Sequence, residues 1–395
     1  MTAAPRHEYD RIPYLVLFED RSAYRDTYGG SGENVVLESY LLKPRDVASD
    51  TVIVFMHPIG GGAYLPMTNA LPRAGHHVIY CNSRYRGIDS ALIMEKVVQD
   101  LGACVRDARE RLGYRNVILA GWSGGGSLSL YYQQQAQAPT VTHTPAGDPM
   151  DLAALDLQPA DGVMLLAAHV SRHGTLTEWM DASILDENDP AKREPELDLY
   201  DPANPDRPPY SAEFLQRYRE AQIARNRRIT AWVKESLDDL RASGRPLEER
   251  AFVTHGTMAD PRWLDPAVDP NDRAPGVCYL GDPRVVNMGP VGLARFSTLR
   301  SWLSQWSYDD ANGDGVRCAA YLRVPTLVIG NSADDACTPS HTRRLYDAVG
   351  HPDRTLHVVQ GANHYYTGKA QVPHLAEAVE TITNWMAERG WAGSL

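Results

Sequence analysis

Seven short apolar runs constrain this fold most. They are Val35–Leu42, Thr51–Met56, His77–Cys81, Asn116–Ala120, Gly162–Ala168, Pro325–Ile329 and Thr355–Val359. Most are continuous rather than alternating, which suits strands buried on both faces of a parallel sheet. Helical stripes fall between them. Val97, Leu101, Cys104, Val105, Ala108 and Leu112 form one, and Leu375, Val379, Ile382, Trp385 and Met386 form another, stopped by Gly390. Strands alternating with amphipathic helices imply right-handed crossovers and a doubly wound, mostly parallel α/β sheet.

The alternation breaks between residues 171 and 320. That stretch opens rich in proline and turn residues. It continues with one long helical pattern from Ser211, as N-cap, to Gly244, and a second helical piece from Leu293 to Trp306. The expected organisation is a core domain of residues 1–170 and 321–395, interrupted by a mostly helical cap insert of residues 171–320.

Charge and cysteine content exclude several classes. A formal net charge of −11 repels phosphate backbones and anionic lipids, so neither nucleic acid nor a membrane is an expected partner. No apolar stretch reaches the ~20 residues of a membrane span. The N-terminal stretch lacks the basic-then-apolar order of a secretory signal. The five cysteines are far apart and form no CxxC pair, so they signal neither a zinc site nor a disulfide framework. The expectation is a reduced, cytoplasmic protein, with a homodimer left open. One decoy is Asp310-Ala-Asn312-Gly-Asp314-Gly315, which opens like a calcium loop. Its twelfth position is Tyr321 rather than glutamate, so a plain turn is the better reading.

The chemistry centres on Gly121-Trp122-Ser123-Gly124-Gly125-Gly126. It lies between an apolar strand and a helical pattern. A serine on so tight a strand-to-helix turn needs glycines two residues to either side, and its hydroxyl projects beyond the sheet edge. The Gly124 N–H is then left at a helix N-terminus, able to hold an oxyanion. Serine is a weak nucleophile without a base, and the base needs an orienting carboxylate. Downstream, the sixth run leads into Asp334-Asp335 and the seventh into His364. Catalytic groups gather at the carboxyl ends of parallel strands, so the three can meet.

With these residues in view, the chain resembles the α/β-hydrolase superfamily over roughly 35–168 and 324–385. HPIGGG (57–62) stands where the family places its oxyanion loop, SRYRGIDS (83–90) resembles its Arg-Gly turn, and GWSGG resembles its nucleophile elbow. An acid before a proline and a Gly-x-x-His complete the set. The resemblance implies a Ser-His-Asp triad of Ser123, His364 and an acid. The family's acid commonly stands four residues before a proline, which favours Asp335 over Asp334. It implies oxyanion donors at Gly124 and Ile59, with Gly60 as fallback, because Pro58 has no N–H to offer. His57 is expected to brace its loop, and His143, His169, His173, His255 and His357 to be surface or core residues.

The expected reaction is hydrolysis of a small-molecule carboxylic ester or lactone through an acyl-enzyme, with no metal and no cofactor. The insert's aromatics favour a fairly bulky apolar substrate, with Trp122, Trp232, Trp302 and Tyr365 expected at its walls. An acyltransferase, a thioesterase, an amidase and a non-catalytic ligand receptor are the alternatives on the same fold.

Overall fold

The structure is a computed structural model that describes residues 6–20, 22 and 34–394. Its strands are β1 (Tyr9–Glu19), β2 (Asn34–Pro44), β3 (Thr51–Phe55), β4 (Val78–Cys81), β5 (Asn116–Ser123), β6 (Gly162–Ala168), β7 (Ala251–Val253), β8 (Phe296–Thr298), β9 (Thr326–Asn331) and β10 (Arg354–Val359). The main sheet runs β1-β2-β4-β3-β5-β6-β9-β10. Only β2 breaks the parallel arrangement, pairing antiparallel with both β1 and β4. From β4 through β10 every pairing in this sheet is parallel. The mostly parallel, doubly wound sheet expected from the apolar runs is therefore present, with a strand added. That strand, β1, escaped the sequence reading because it is an edge strand. It carries Pro13, which an edge tolerates, and of its eleven residues only Val16 is buried.

Helices cover both faces. They are α1 (Pro66–Arg73), α2 (Met94–Glu110), α3 (Gly124–Gln137), α4 (Arg172–Trp179), α5 (Ala212–Ala242), α6 (Pro261–Leu264), α7 (Pro283–Val286), α8 (Leu299–Gln305), α9 (Gly315–Ala319), α10 (Pro339–Ala348) and α11 (Val372–Ala387). Alternate residues of the central strands feed two cores. Val52, Val54, Leu119 and Leu165 pack on one face with α2 and α3, while Ile53, Phe55, Ile118 and Met164 pack on the other with α1 and α11. Each central strand is buried along its length, which is why its sequence shows no period of two.

Residues 171–320 lie between β6 and β9 and contain α4 to α9 and the small antiparallel pair β7–β8. The ends of this insert are tied together. Ser171 bridges to Asp314, and the Gly315 N–H donates to the Val170 carbonyl at 2.8 Å. The long helix α5 starts where Ser211 Oγ accepts from the Phe214 N–H at 3.1 Å and ends before Gly244, whose φ is +72°. The second expected helical piece is shorter than its pattern suggested. Its first part, Phe296–Thr298, pairs with β7 as a strand, and α8 begins only at Leu299, capped by Thr298. Among the described residues no helix is long and apolar enough to cross a membrane.

Candidate active site

β5 ends on Ser123, and α3 begins on the next residue. Ser123 has φ 53° and ψ −124°, a conformation that costs a non-glycine residue of order 1–3 kcal/mol. The glycines on either side are there for space. A Cβ on Gly121 would overlap the Gly125 carbonyl, and one on Gly125 would fall 2.6 Å from the Met56 carbonyl oxygen. The sheet register also shifts between Trp122 and Ser123, so that Ser123 pairs with Ala168 of β6 and its carbonyl accepts from the His169 N–H at 3.1 Å.

His364 stands on the loop after β10, with Nε2 3.2 Å from Ser123 Oγ. Its Nδ1 lies 2.8 Å from Oδ2 of Asp334, a fully buried carboxylate on the loop after β9. The two loops are laced together. Asn331 Nδ2 donates to the Asn363 carbonyl at 2.9 Å, and Tyr366 OH donates to Asn331 Oδ1 at 2.7 Å. Trp122 and Tyr365 close around the imidazole, with ring centroids 4.7 and 4.8 Å from it.

The acid at the imidazole is thus Asp334, not the expected Asp335. The local turn decides it. Asp334 Oδ1 accepts the N–H groups of Ala336 and Cys337 at 2.8 and 2.7 Å, which pins the carboxylate inward and leaves Oδ2 for His364. Asp335 is turned aside and half-buried. Burial, reinforced by the Asp334 charge, pushes its carboxyl up to about 6. Asp334, Cys337 and His364 also lie close enough to share an ion. The carboxylate is already committed to three donors, and burial holds the Cys337 thiol protonated well above its usual pKa. These groups therefore suit a hydrogen-bonded relay better than a metal.

The loop after β3 faces the serine. The Gly60 N–H donates to the His57 carbonyl at 2.8 Å, so Gly60 has no free donor for an oxyanion, contrary to the expected fallback. The Ile59 N–H is held only loosely, 3.3 Å from His57 Nδ1. Burial, with the charges of Arg172 and His364, pushes His57 down to about 3. The imidazole is neutral, and because Nδ1 accepts, its proton sits on Nε2. That nitrogen lies over Gly124, 2.9 Å from where a Cβ would stand. The Arg-Gly turn braces the loop from behind. Ser83 Oγ donates to the Pro58 carbonyl and the Gly87 N–H to the Ile59 carbonyl. Arg84 is spent on buried Asp100 and Arg86 on Glu38.

Above Ser123 is a cavity of about 130 Å³ that opens to solvent. The core contributes His57, Ile59, Trp122, Gly124, His364 and Tyr365, and the insert contributes Arg172, Thr175, Trp179, Tyr279, Leu293 and Trp306. Two expected wall residues are elsewhere. Trp232 is 44% exposed and meets Phe252 edge-on. Trp302 is fully buried inside the insert, its Nε1 donating to Thr230 Oγ1 at 2.9 Å. Both belong to the packing of α5 and α8, so they follow the helical face but not the cavity. His169, expected in the surface or core set, lines the cavity with its ring centroid 6.2 Å from that of His364. Its position directly after β6, beside the elbow strand, was the signal available for it. The calcium-like loop is a turn. Asp310 pairs with Lys234, Asn312 Nδ2 donates to Glu95 at 3.1 Å, and Asp314 caps α9.

A family model described as the alpha/beta hydrolase fold matches residues 51–144, which hold the loop after β3 and the turn at Ser123. The chain has the α/β-hydrolase fold. The α/β-hydrolase sheet carries the elbow at its centre and sets the two downstream loops beside it. Similar solved structures include three hydrolases. The siderophore hydrolase EstB from Aspergillus fumigatus is 12% identical, covering 89% of this chain and 94% of its own, with TM-score 0.49. The carboxylesterase Cest-2923 from Lactobacillus plantarum WCFS1 is 12% identical, covering 98% and 100%, with TM-score 0.46. The monoacylglycerol lipase from Paleococcus ferrophilus is 14% identical, covering 84% and 93%, with TM-score 0.42. No curated protein matches the sequence.

Proposed function

We propose that this α/β-hydrolase is a serine hydrolase cleaving a carboxylic ester or lactone through an acyl-enzyme, with residues 171–320 acting as its cap. The observation that carries this reading is the continuous chain from Asp334 Oδ2 to His364 Nδ1 at 2.8 Å, and from His364 Nε2 to Ser123 Oγ at 3.2 Å. Asp334 holds the imidazole in the tautomer whose Nε2 is unprotonated. Ser123 Oγ attacks the scissile carbonyl carbon while His364 Nε2 takes the hydroxyl proton. The carbonyl π electrons move to oxygen, and the N–H groups of Gly124 and Ile59 hold the resulting oxyanion. Collapse expels the alcohol, which leaves with the proton from His364. Water then attacks the acyl-enzyme with the same histidine as base, releasing the acid and restoring Ser123. An ester and a lactone share this tetrahedral state, so a lactone opens to a single hydroxy acid. Trp122, Trp179, Trp306 and Tyr365 supply the apolar part of the substrate wall.

Labelling with a fluorophosphonate, followed by peptide mass spectrometry, tests this directly. The adduct should sit on Ser123, and turnover of p-nitrophenyl esters should vanish in Ser123→Ala. Labelling elsewhere, or ligand binding without turnover, would replace the enzyme with the receptor reading. Preferential transfer of the acyl group to an added alcohol would make it an acyltransferase.

A further inference from the structure

The cavity above Ser123 is not wholly apolar. Arg172, the first residue of α4, lines it and is only 7% exposed. A cation in the first turn of a helix opposes the macrodipole, so helix stability gives no reason for arginine here. Its orientation is nonetheless fixed. Nε donates to Gln305 Oε1 at 2.9 Å, and the guanidinium lies 4.3 Å over the Trp306 ring. Gln305 is itself held through Nε2 by the Asp89 carbonyl and Ser301 Oγ, both at 2.7 Å.

One carboxylate answers this charge, and not fully. Asp89 Oδ2 accepts from Nη2 at 3.2 Å, and its side chain is 26% exposed. Among the described residues Nη1 has no acceptor, although a guanidinium carries two N–H groups there. Burial lowers the Arg172 pKa from its usual value despite Asp89, which marks the charge as under-compensated. The surroundings repeat the pattern. Thr175 Oγ1, one turn along α4, Trp306 Nε1 and His169 Nδ1 are buried without partners, and all three residues line the same cavity. Buried polar groups are ordinarily satisfied. Several left open around one void are complementary to a polar group that arrives with a ligand.

Resting on the hydrolase reading above, we propose that Arg172 binds a carboxylate on the substrate. The substrate class is then an ester or lactone that carries a free carboxylate besides its scissile carbonyl. A planar guanidinium with an open Nη1 edge matches a carboxylate in geometry and charge. Trp306 beneath it and the Trp179 wall cover the apolar part of the molecule. This replaces the wholly apolar substrate expected from the insert's aromatics.

The test compares mono-p-nitrophenyl esters of linear dicarboxylic acids, from succinate to suberate, with the same compounds methylated at the free carboxylate. For at least one chain length the wild type should favour the half-ester by tenfold or more in kcat/KM. Arg172→Gln should lower that ratio at least thirtyfold, mainly through KM, and Arg172→Lys should recover part of it. Equal rates on charged and methylated substrates in the wild type would overturn the proposal. So would Arg172→Gln and Arg172→Lys variants that lose both activities in parallel, since that marks a structural ion pair. Calorimetry of half-ester binding to Ser123→Ala separates the two readings. Arg172-dependent binding, with no hydrolysis of any ester by the wild type, would sink the hydrolase reading and leave the carboxylate site standing. Absent binding alongside ordinary turnover of neutral esters would do the reverse.

Discussion

Asp334→Asn is the perturbation that tests the site most closely, because it changes the relay without changing its shape. The asparagine oxygen can keep the two backbone bonds that Asp334 Oδ1 now accepts from Ala336 and Cys337. The amide nitrogen then takes the place of Oδ2, 2.8 Å from His364 Nδ1. An amide there donates, so it selects the imidazole tautomer protonated on Nε2. That tautomer presents a proton to Ser123 Oγ instead of a lone pair. In the worked serine-protease template the same change lowers turnover by about 10⁴, or about 5 kcal/mol of transition-state stabilisation. The expected result here is a loss of that order in kcat for a p-nitrophenyl ester. The rate of fluorophosphonate labelling should fall in parallel, and the melting temperature should stay close to that of the wild type. Asp335→Asn is the paired control and should keep turnover within threefold. Crippled Asp335→Asn beside an active Asp334→Asn would show that the loop after β9 is placed one residue out of register.

Asp335 also predicts a stability effect with a definite sign. Its folded pKa, near 6, lies above the unfolded value near 4, so the native state holds its proton longer. Relative to an uncharged residue, Asp335 therefore costs nothing below pH 4, costs progressively more as pH rises through 6, and costs about 2 to 3 kcal/mol at pH 8. Thermal melts of Asp335→Asn should exceed the wild type at pH 8 and coincide with it near pH 4; equal melts at both pH values would refute the shift. Trp302→Ala removes a fully buried indole from the insert core and should destabilise by about 3–5 kcal/mol. Trp232→Ala, half in solvent, should leave both melting temperature and ester selectivity near the wild type; a selectivity change would return Trp232 to the cavity wall. EDTA should leave ester turnover unchanged, since Asp334 is fully engaged by His364 and two backbone N–H groups. Inactivation reversed by a divalent cation would show that the Asp334–Cys337–His364 cluster holds an ion.

What could be read from the sequence divides along physical lines. Gly121 and Gly125 announce the elbow because the close approach of backbone at that turn admits no side chain. The same turn explains why Ser123, and none of the neighbouring serines on α3, meets His364. The strand end carrying Asp334 was equally legible, since β9 is buried throughout and shows as an unbroken apolar run, while β10, before His364, is an edge strand with only Val359 buried. The choice between Asp334 and Asp335 was not. Both residues are aspartate, and only the capture of Ala336 and Cys337 N–H groups decides which carboxylate turns inward. β1 was missed for the opposite reason. With one buried residue in eleven, it has neither a continuous run nor a clean alternation. The insert was the least legible part. Helical periodicity identified the buried face of α5 but said nothing of what that face covers. Trp302 therefore looked like a cavity wall while Trp306, four residues on, is one.

Residues that violate their local rules point to the site more surely than those that obey them. Among the described residues six non-glycine positions have positive φ. Ser123 is one. Ala167 is another, at the end of β6 where the register slips against Ser123, and Tyr366 is a third, two residues past His364. His57 is a histidine kept neutral by burial, Arg172 is a cation at the wrong end of a helix, and Thr175 and Trp306 have polar atoms without partners. Each would be removed by selection for stability alone. Ser123, His57, Arg172, Thr175 and Trp306 line one cavity, and Ala167 and Tyr366 adjoin the Ser123 and His364 turns, whereas Asp156, Asp269 and Ala294 are not among its lining residues. The strain at Ser123 serves nucleophilic attack, which any ester requires. The Arg172 charge, only partly answered by Asp89, serves no step of that attack, which is why we assign it to recognition. The reaction is therefore written in the strand ends and the choice of substrate in the first turn of α4.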